Sequence, residues 1–164
     1  MRSTLKLVHF VGLSAFLGSI AVYIVVSSVC PPGDLAALAT GRALIRTGTL
    51  FITVPGLWAL LVSGAALAAR LPAVPRWLKL KLGLVALIAL NTHLAIVPAT
   101  GRALDLAQAS VRAQTLDPAY RAAYLTESGC GAVNVLLFLA VIALSVFRPS
   151  LRLAKGNLPA MDAR

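Results

Sequence analysis

Four long apolar runs constrain this chain more than any other feature. They cover roughly residues 7–29, 47–69, 80–99 and 129–147. About 20 apolar residues in helical form cross the ~30 Å of hydrocarbon in a bilayer. Lipid offers no partner to an unpaired backbone N–H or C=O, so each run is expected to be a helix. Barrel strands would alternate polar and apolar with period two, and these runs do not. The predicted fold is all-α: an integral membrane four-helix bundle.

Composition agrees with lipid as the solvent. The chain is 59% hydrophobic and only 12% charged, where a soluble domain carries about a quarter charged residues. The net charge of +10 raises the question of nucleic acid. The basic residues flank the apolar runs, however, and form no basic face with interleaved aromatics. No nucleic acid partner is expected; the charges read as topology signals and contacts to anionic headgroups.

A cleaved leader is the competing reading of the first run. That run is too long for a leader's apolar region and ends at Cys30-Pro31-Pro32 rather than at a small-x-small site. It is expected to be a retained helix. Lys and Arg then set the orientation. The N-terminus, the 70–81 connection and the tail hold Arg2, Lys6, Arg70, Arg76, Lys79, Lys81, Arg148, Arg152, Lys155 and Arg164. The other side holds Arg42, Arg46, Arg102, Arg112 and Arg121. This bias predicts a multi-pass inner-membrane protein with both termini in the cytoplasm.

The connections differ in character. Residues 34–46 have a helical tendency. Residues 70–79 are tight and carry Pro72 and Pro75. Residues 100–128 alternate charged and apolar side chains, which predicts a periplasmic helical connection that extends past the membrane or lies on it. Asp117-Pro118 reads as a break and a new helix start. Residues 149–164 form a basic cytoplasmic tail. No internal repeat and no low-complexity tract is evident. Ser14 with Gly18, and Gly64 with Ala68, are small-xxx-small pairs that could bring helix backbones together.

The chain has two histidines, and both fall in the apolar runs: His9 and His93. An ionisable group inside a membrane defaults to a functional hypothesis. Two histidines on different helices suggest an iron porphyrin, haem b, held between them. Depth separates them. At about 1.5 Å per residue, His9 lies roughly 3–5 Å inside the inner boundary and His93 roughly 20 Å in. Lys81 matches the depth of His9 better. Asn91 and Asn134 are the other buried polar candidates.

Cys30 closes the first run and Cys130 opens the fourth, both on the outer side. A disulfide between them would pin the first helix to the fourth in an oxidising compartment. A copper site with His93 is less favoured, because the chain has two methionines and no His or Met cluster. No phosphate-cradling glycine loop, metal-ligand spacing or Ser/His/Asp constellation is present.

Several segments carry a resemblance. Lys6-Leu7-Val8-His9 resembles the Lys-x-x-His opening of the HemJ-type protoporphyrinogen oxidases and the related CopD-like membrane proteins. Residues 51–64, with Pro55 and Ser63-Gly64, look like their second helix. Trp77-Leu78-Lys79-Leu80-Lys81-Leu82 looks like their Trp-Leu-x-x-Lys-Leu entry to a later helix. Residues 134–149 are similar to their closing helix. The arginine-bearing segment that follows the first helix in those proteins is absent here. The chain is similar to the same degree to an uncharacterised family of small integral membrane proteins that share the opening His and the Pro-Gly second helix. The HemJ-type resemblance implies a b-type haem, with His9 and Lys81 as the critical residues.

The leading expectation is therefore a haem b protein that transfers electrons or oxidises a hydrophobic substrate. His9 is the axial ligand, and Lys81 or His93 is the second ligand or a proton donor. A quinone or a membrane redox partner would exchange electrons with it, in a homo-oligomer or membrane complex. Two rivals stand beside it. One is a non-enzymatic scaffold or assembly subunit, in which His9 and His93 join helices. The other is CopD-like transport of a metal or small solute, for which four helices without a repeat are few.

Overall fold

A computed structural model describes residues 2–147. The tail assigned to 149–164, with its Arg152, Lys155 and Arg164, lies outside the described residues, as does Arg148. Among the described residues there are four long helices and no strand: α1 Arg2–Val29, α2 Leu35–Ala68, α3 Arg76–Ala113 and α4 Tyr120–Phe147. Each contains one of the four apolar runs. Their outward surfaces are apolar, with Phe51 76%, Leu94 70% and Leu136 67% exposed. In water such a surface would drive aggregation; against lipid tails it is the expected exterior.

Local sequence sets the helix ends. Pro31-Pro32 stops α1, and Asp34 caps α2 by accepting from the Ala37 N–H at 2.9 Å. Pro75 precedes α3 in an extended conformation. Gln114 takes the left-handed conformation that closes α3, at φ 55°. Asp117 accepts from the Ala119 N–H at 2.8 Å as α4 begins.

The helices are longer than the apolar runs. The 34–46 segment is the first part of α2, and the 100–128 connection is mostly the end of α3 and the start of α4. At ~1.5 Å per residue the 38 residues of α3 reach about 57 Å, well beyond the bilayer core. Pro98, which the sequence placed near the end of its run, sits mid-helix. The reason is a wide turn. Residues Thr49–Thr53 of α2 and Thr92–Ile96 of α3 are π-helical, and each is followed at once by Val-Pro. Proline has no N–H to donate and crowds the carbonyl one turn back; one extra residue in the turn relieves both.

The two turns mark a short repetition in the sequence. Ala43-Leu44-Ile45, Thr49 and Val54-Pro55 match Ala86-Leu87-Ile88, Thr92 and Val97-Pro98 at identical spacing. In both copies the threonine hydroxyl donates to the carbonyl four residues back, Ile45 at 2.7 Å and Ile88 at 2.8 Å.

The packing has two centres. Phe16, Leu57, Leu60, Val85, Ile88, Phe138 and Val141 form the larger core. Leu38, Ala103, Ala107, Tyr120 and Ala123 form a second one where the extended ends of α2 and α3 meet the start of α4. Gly12 and Gly56 make the closest backbone approach of α1 and α2: a Cβ on Gly12 would lie 2.8 Å from the Gly56 carbonyl. The expected Ser14–Gly18 pair does not pack: Ser14 is exposed, and a Cβ on Gly18 would meet nothing within 4 Å. Gly64 serves a side chain instead, since a Cβ there would lie 3.3 Å from Cε1 of His9.

Asn134, 2% exposed, ties α4 to α3. It accepts from Asn91 Nδ2 at 2.8 Å and donates to Thr92 Oγ1 at 2.9 Å. Interhelical bonds of this kind contribute about 0.6–1.7 kcal/mol each in membrane bundles. Asn134→Ala is expected to destabilise the bundle by about 1–2 kcal/mol, because buried Thr92 loses its donor and half-buried Asn91 loses an acceptor. Thermal unfolding in detergent measures it.

Candidate functional site

α1 packs on the 54–68 part of α2, and α4 packs on α3, but α1 and α4 have no extended contact with each other. They approach through Phe16 and Phe138, whose ring centres are 5.7 Å apart. These rings divide the space between the helices into two chambers.

The inner chamber lies toward the start of α1. Its volume is about 670 Å³, and its walls are Leu13, Leu60, Val85, Phe138 and other apolar side chains. His9 and Lys81 both line it. The pair singled out by depth and by the resemblance thus shares one site. His9 Nδ1 lies 3.0 Å from Ser63 Oγ. The Ser63 hydroxyl proton is already committed to the Ala59 carbonyl one turn back. Ser63 therefore accepts, and Nδ1 carries the imidazole proton. Nε2 is left with a lone pair and, among the described residues, no hydrogen-bond partner. An imidazole with one nitrogen held by a hydrogen bond can bind a metal through the other.

His93 is elsewhere. It lines neither chamber. Its Nε2 accepts from Trp58 Nε1 at 3.3 Å, and its Nδ1 donates to the Ala89 carbonyl at 2.8 Å. Both ring nitrogens are engaged, Nε2 in joining α3 to α2 and Nδ1 within α3 itself. The structure does not bring His9 and His93 together.

Cys30 and Cys130 are not bonded to each other in this structure. Cys30 packs on α2, where a Cβ on Gly41 would meet its Sγ at 2.9 Å. The Cys130 carbonyl accepts from Asn91 of α3 at 3.0 Å. α4 begins at Tyr120, ten residues before Cys130, so this cysteine is inside a helix and not at its start.

The outer chamber has a volume of about 760 Å³ and reaches from the Phe16 ring to Ser27, Glu127 and Thr100. Both π turns contribute to its wall through Thr49, Thr53, Thr92 and Ile96. Behind Glu127 stands Arg42, only 3% exposed. Its Nη1 donates to both Glu127 carboxylate oxygens, at 3.2 and 3.1 Å, and its Nη2 donates to Ser27 at 3.3 Å. The guanidinium also lies 5.7 Å from the Tyr120 ring centre and 5.1 Å from that of Tyr124. Arg46, one turn on, reaches the Val97 carbonyl and, at 3.1 Å, Thr100.

Sequence reasoning counted Arg42 and Arg46 as topology charges and missed their burial. A signal was present. They stand four residues apart, hence on one face of a helix, with Gly41 and Ala43 beside them, and Glu127 is the chain's lone glutamate.

No group of three or more His, Cys, Asp or Glu that could hold a metal ion occurs among the described residues. A bare ion would find few ligands here. A porphyrin supplies four nitrogens of its own and asks the protein for one or two.

Residues 3–149 match the family described as "Predicted integral membrane protein (DUF2269)". No curated protein and no solved structure matches the chain. The HemJ-type oxidases and the CopD-like proteins are therefore not among the matches.

Proposed function

The chain belongs to the DUF2269 family of integral membrane proteins, and from that premise we propose that it binds haem b in the inner chamber and passes electrons within the membrane. The observation that carries the reading is His9. Its tautomer is set by Ser63, and its free Nε2 lines an apolar chamber that also contains Lys81. His9 would hold the haem through its imidazole, and Lys81, in the same chamber, would serve as a second ligand or as a cation for the haem's carboxylates. Gly64 leaves room for the imidazole, and Leu13, Val85 and Phe138 exclude water. When bound, the haem supplies a one-electron iron couple whose potential the ligands and burial tune. The open seam between α1 and α4 suits a hydrophobic donor, a quinone or a membrane redox partner. The excess of Lys and Arg around the N-terminus and the 70–81 connection supports cytoplasmic termini in an inner membrane.

Protein purified in mild detergent from haem-sufficient cells is expected to show a b-type spectrum when oxidised and then reduced with dithionite. His9→Ala removes that spectrum. His93→Ala retains it, since His93 lines neither chamber. A colourless wild-type protein, or a His9→Ala protein that keeps its haem, overturns the reading. A colourless protein leaves the scaffold role.

A further inference from the structure

We propose that the outer chamber binds an amphiphilic amine: a molecule dissolved in the membrane, with an apolar body and a protonated head that carries N–H groups. The direction of the hydroxyl protons leads to this ligand class. Thr49 donates to Ile45, Thr92 to Ile88, Thr100 to Val97 and Ser28 to Val25, all backbone carbonyls of their own helices. Ser19 donates to the Phe16 carbonyl and Thr53 donates to Ser19. Tyr23, 2.9 Å from Thr53 Oγ1, must then be the donor of that pair. A hydroxyl has one proton and two lone pairs. With the protons committed inward, Tyr23, Ser28 and Thr49 offer the chamber lone pairs, and Thr53, Thr92 and Thr100 each keep one after accepting from Tyr23, Asn134 and Arg46.

Glu127 adds a carboxylate to the same wall. Its ion pair with Arg42 does not saturate it. Both carboxylate contacts come from a single nitrogen, Nη1, and not from the two-nitrogen fork that Arg forms in its strongest pairs. The Arg42 charge is also shared with Ser27 and two tyrosine rings. A carboxylate has about four acceptor sites, so Glu127 can accept from a ligand as well. The remaining walls are apolar, with Phe16, Ile20, Ile24, Ile45 and Val135. They suit a hydrocarbon body that enters through the seam between α1 and α4. Acceptors outnumber the uncommitted hydroxyl donors of the lining, Ser27, Tyr124 and Ser128, so a head with three ammonium protons satisfies more of them than an alcohol's single proton.

The test uses the full chain in lipid nanodiscs, with radiolabelled dodecylamine as the probe and empty nanodiscs as the background. Saturable binding is expected. Gly131 lines the chamber, and a Cβ there would meet nothing within 4 Å. Gly131→Leu therefore fills the space without a clash, and it should abolish saturable binding while thermal unfolding stays near that of wild type. Glu127→Gln should weaken binding by about tenfold or more, the scale of one charge-assisted bond. Dodecanol and dodecyltrimethylammonium should compete about tenfold less well than dodecylamine, since one lacks the charge and the other lacks the N–H. Binding no greater than to empty nanodiscs, or unchanged by Gly131→Leu, overturns the site. Equal competition by dodecanol overturns the amine assignment. The haem reading concerns the inner chamber, so neither result depends on it.

Discussion

Arg42→Met is expected to destabilise the bundle by about 3–5 kcal/mol, the usual cost of removing one partner from a buried ion pair. Arg42 is 3% exposed and holds Glu127 at 3.1 Å. Without it the carboxylate stays in a largely apolar wall with no counter-charge, and Ser27 loses its donor. The second packing centre loses the cation stacked near Tyr120 and Tyr124. The double variant Arg42→Met/Glu127→Leu should recover most of the loss, because two apolar side chains of similar volume leave no charge stranded. Thermal unfolding of the wild type, both single variants and the double variant gives the cycle. A single-variant loss below about 1 kcal/mol would mean that the pair behaves as a solvated surface bridge.

The second large effect is steric. In Gly12→Leu, the new Cβ would lie 2.8 Å from the Gly56 carbonyl oxygen and 2.9 Å from the Leu60 nitrogen. Both obstacles are backbone atoms, which cannot turn aside as a flexible side chain can. α1 must move off α2 along its main contact, and Phe16, one turn away, leaves the core. Overpacking typically costs about 1–3 kcal/mol, and a clash with backbone belongs at or above the upper end. Gly18→Leu is the internal control. That position faces open space, and a change within about 0.5 kcal/mol is expected there. If both variants unfold alike, the Gly12–Gly56 approach is not what seats α1.

The helical class and the four spans were legible because membrane helices announce themselves by unbroken apolar length. Arg42 was illegible as a buried residue because its partner lies 85 positions away, and a charge near a helix end reads by default as a solvated one. The π turns were hidden for a related reason. Proline usually marks a boundary, so Pro98 reads as an ending, and that boundary conceals the match between 43–55 and 86–98. His9 with Lys81 could be paired by depth alone, since both lie near the starts of two spans that begin on the same side. Ser63, which decides which nitrogen of His9 is free, could not be identified before the α1–α2 crossing was known. The small-xxx-small pattern misled at Ser14 and Gly18, because a chain rich in glycine and alanine repeats that spacing on lipid-facing surfaces too.

The incomplete seam between α1 and α4 has a practical consequence for any binding experiment. A molecule that enters sideways from the hydrocarbon responds to its concentration in the lipid phase and not to the amount added to the buffer. Two compounds with identical contacts in a chamber will then differ in apparent Kd by the ratio of their partition coefficients. For one compound at a fixed total dose, raising the lipid-to-protein ratio will dilute it within the bilayer and mimic a loss of affinity. Occupancy of either chamber should collapse onto a single curve when it is plotted against mole fraction in the membrane.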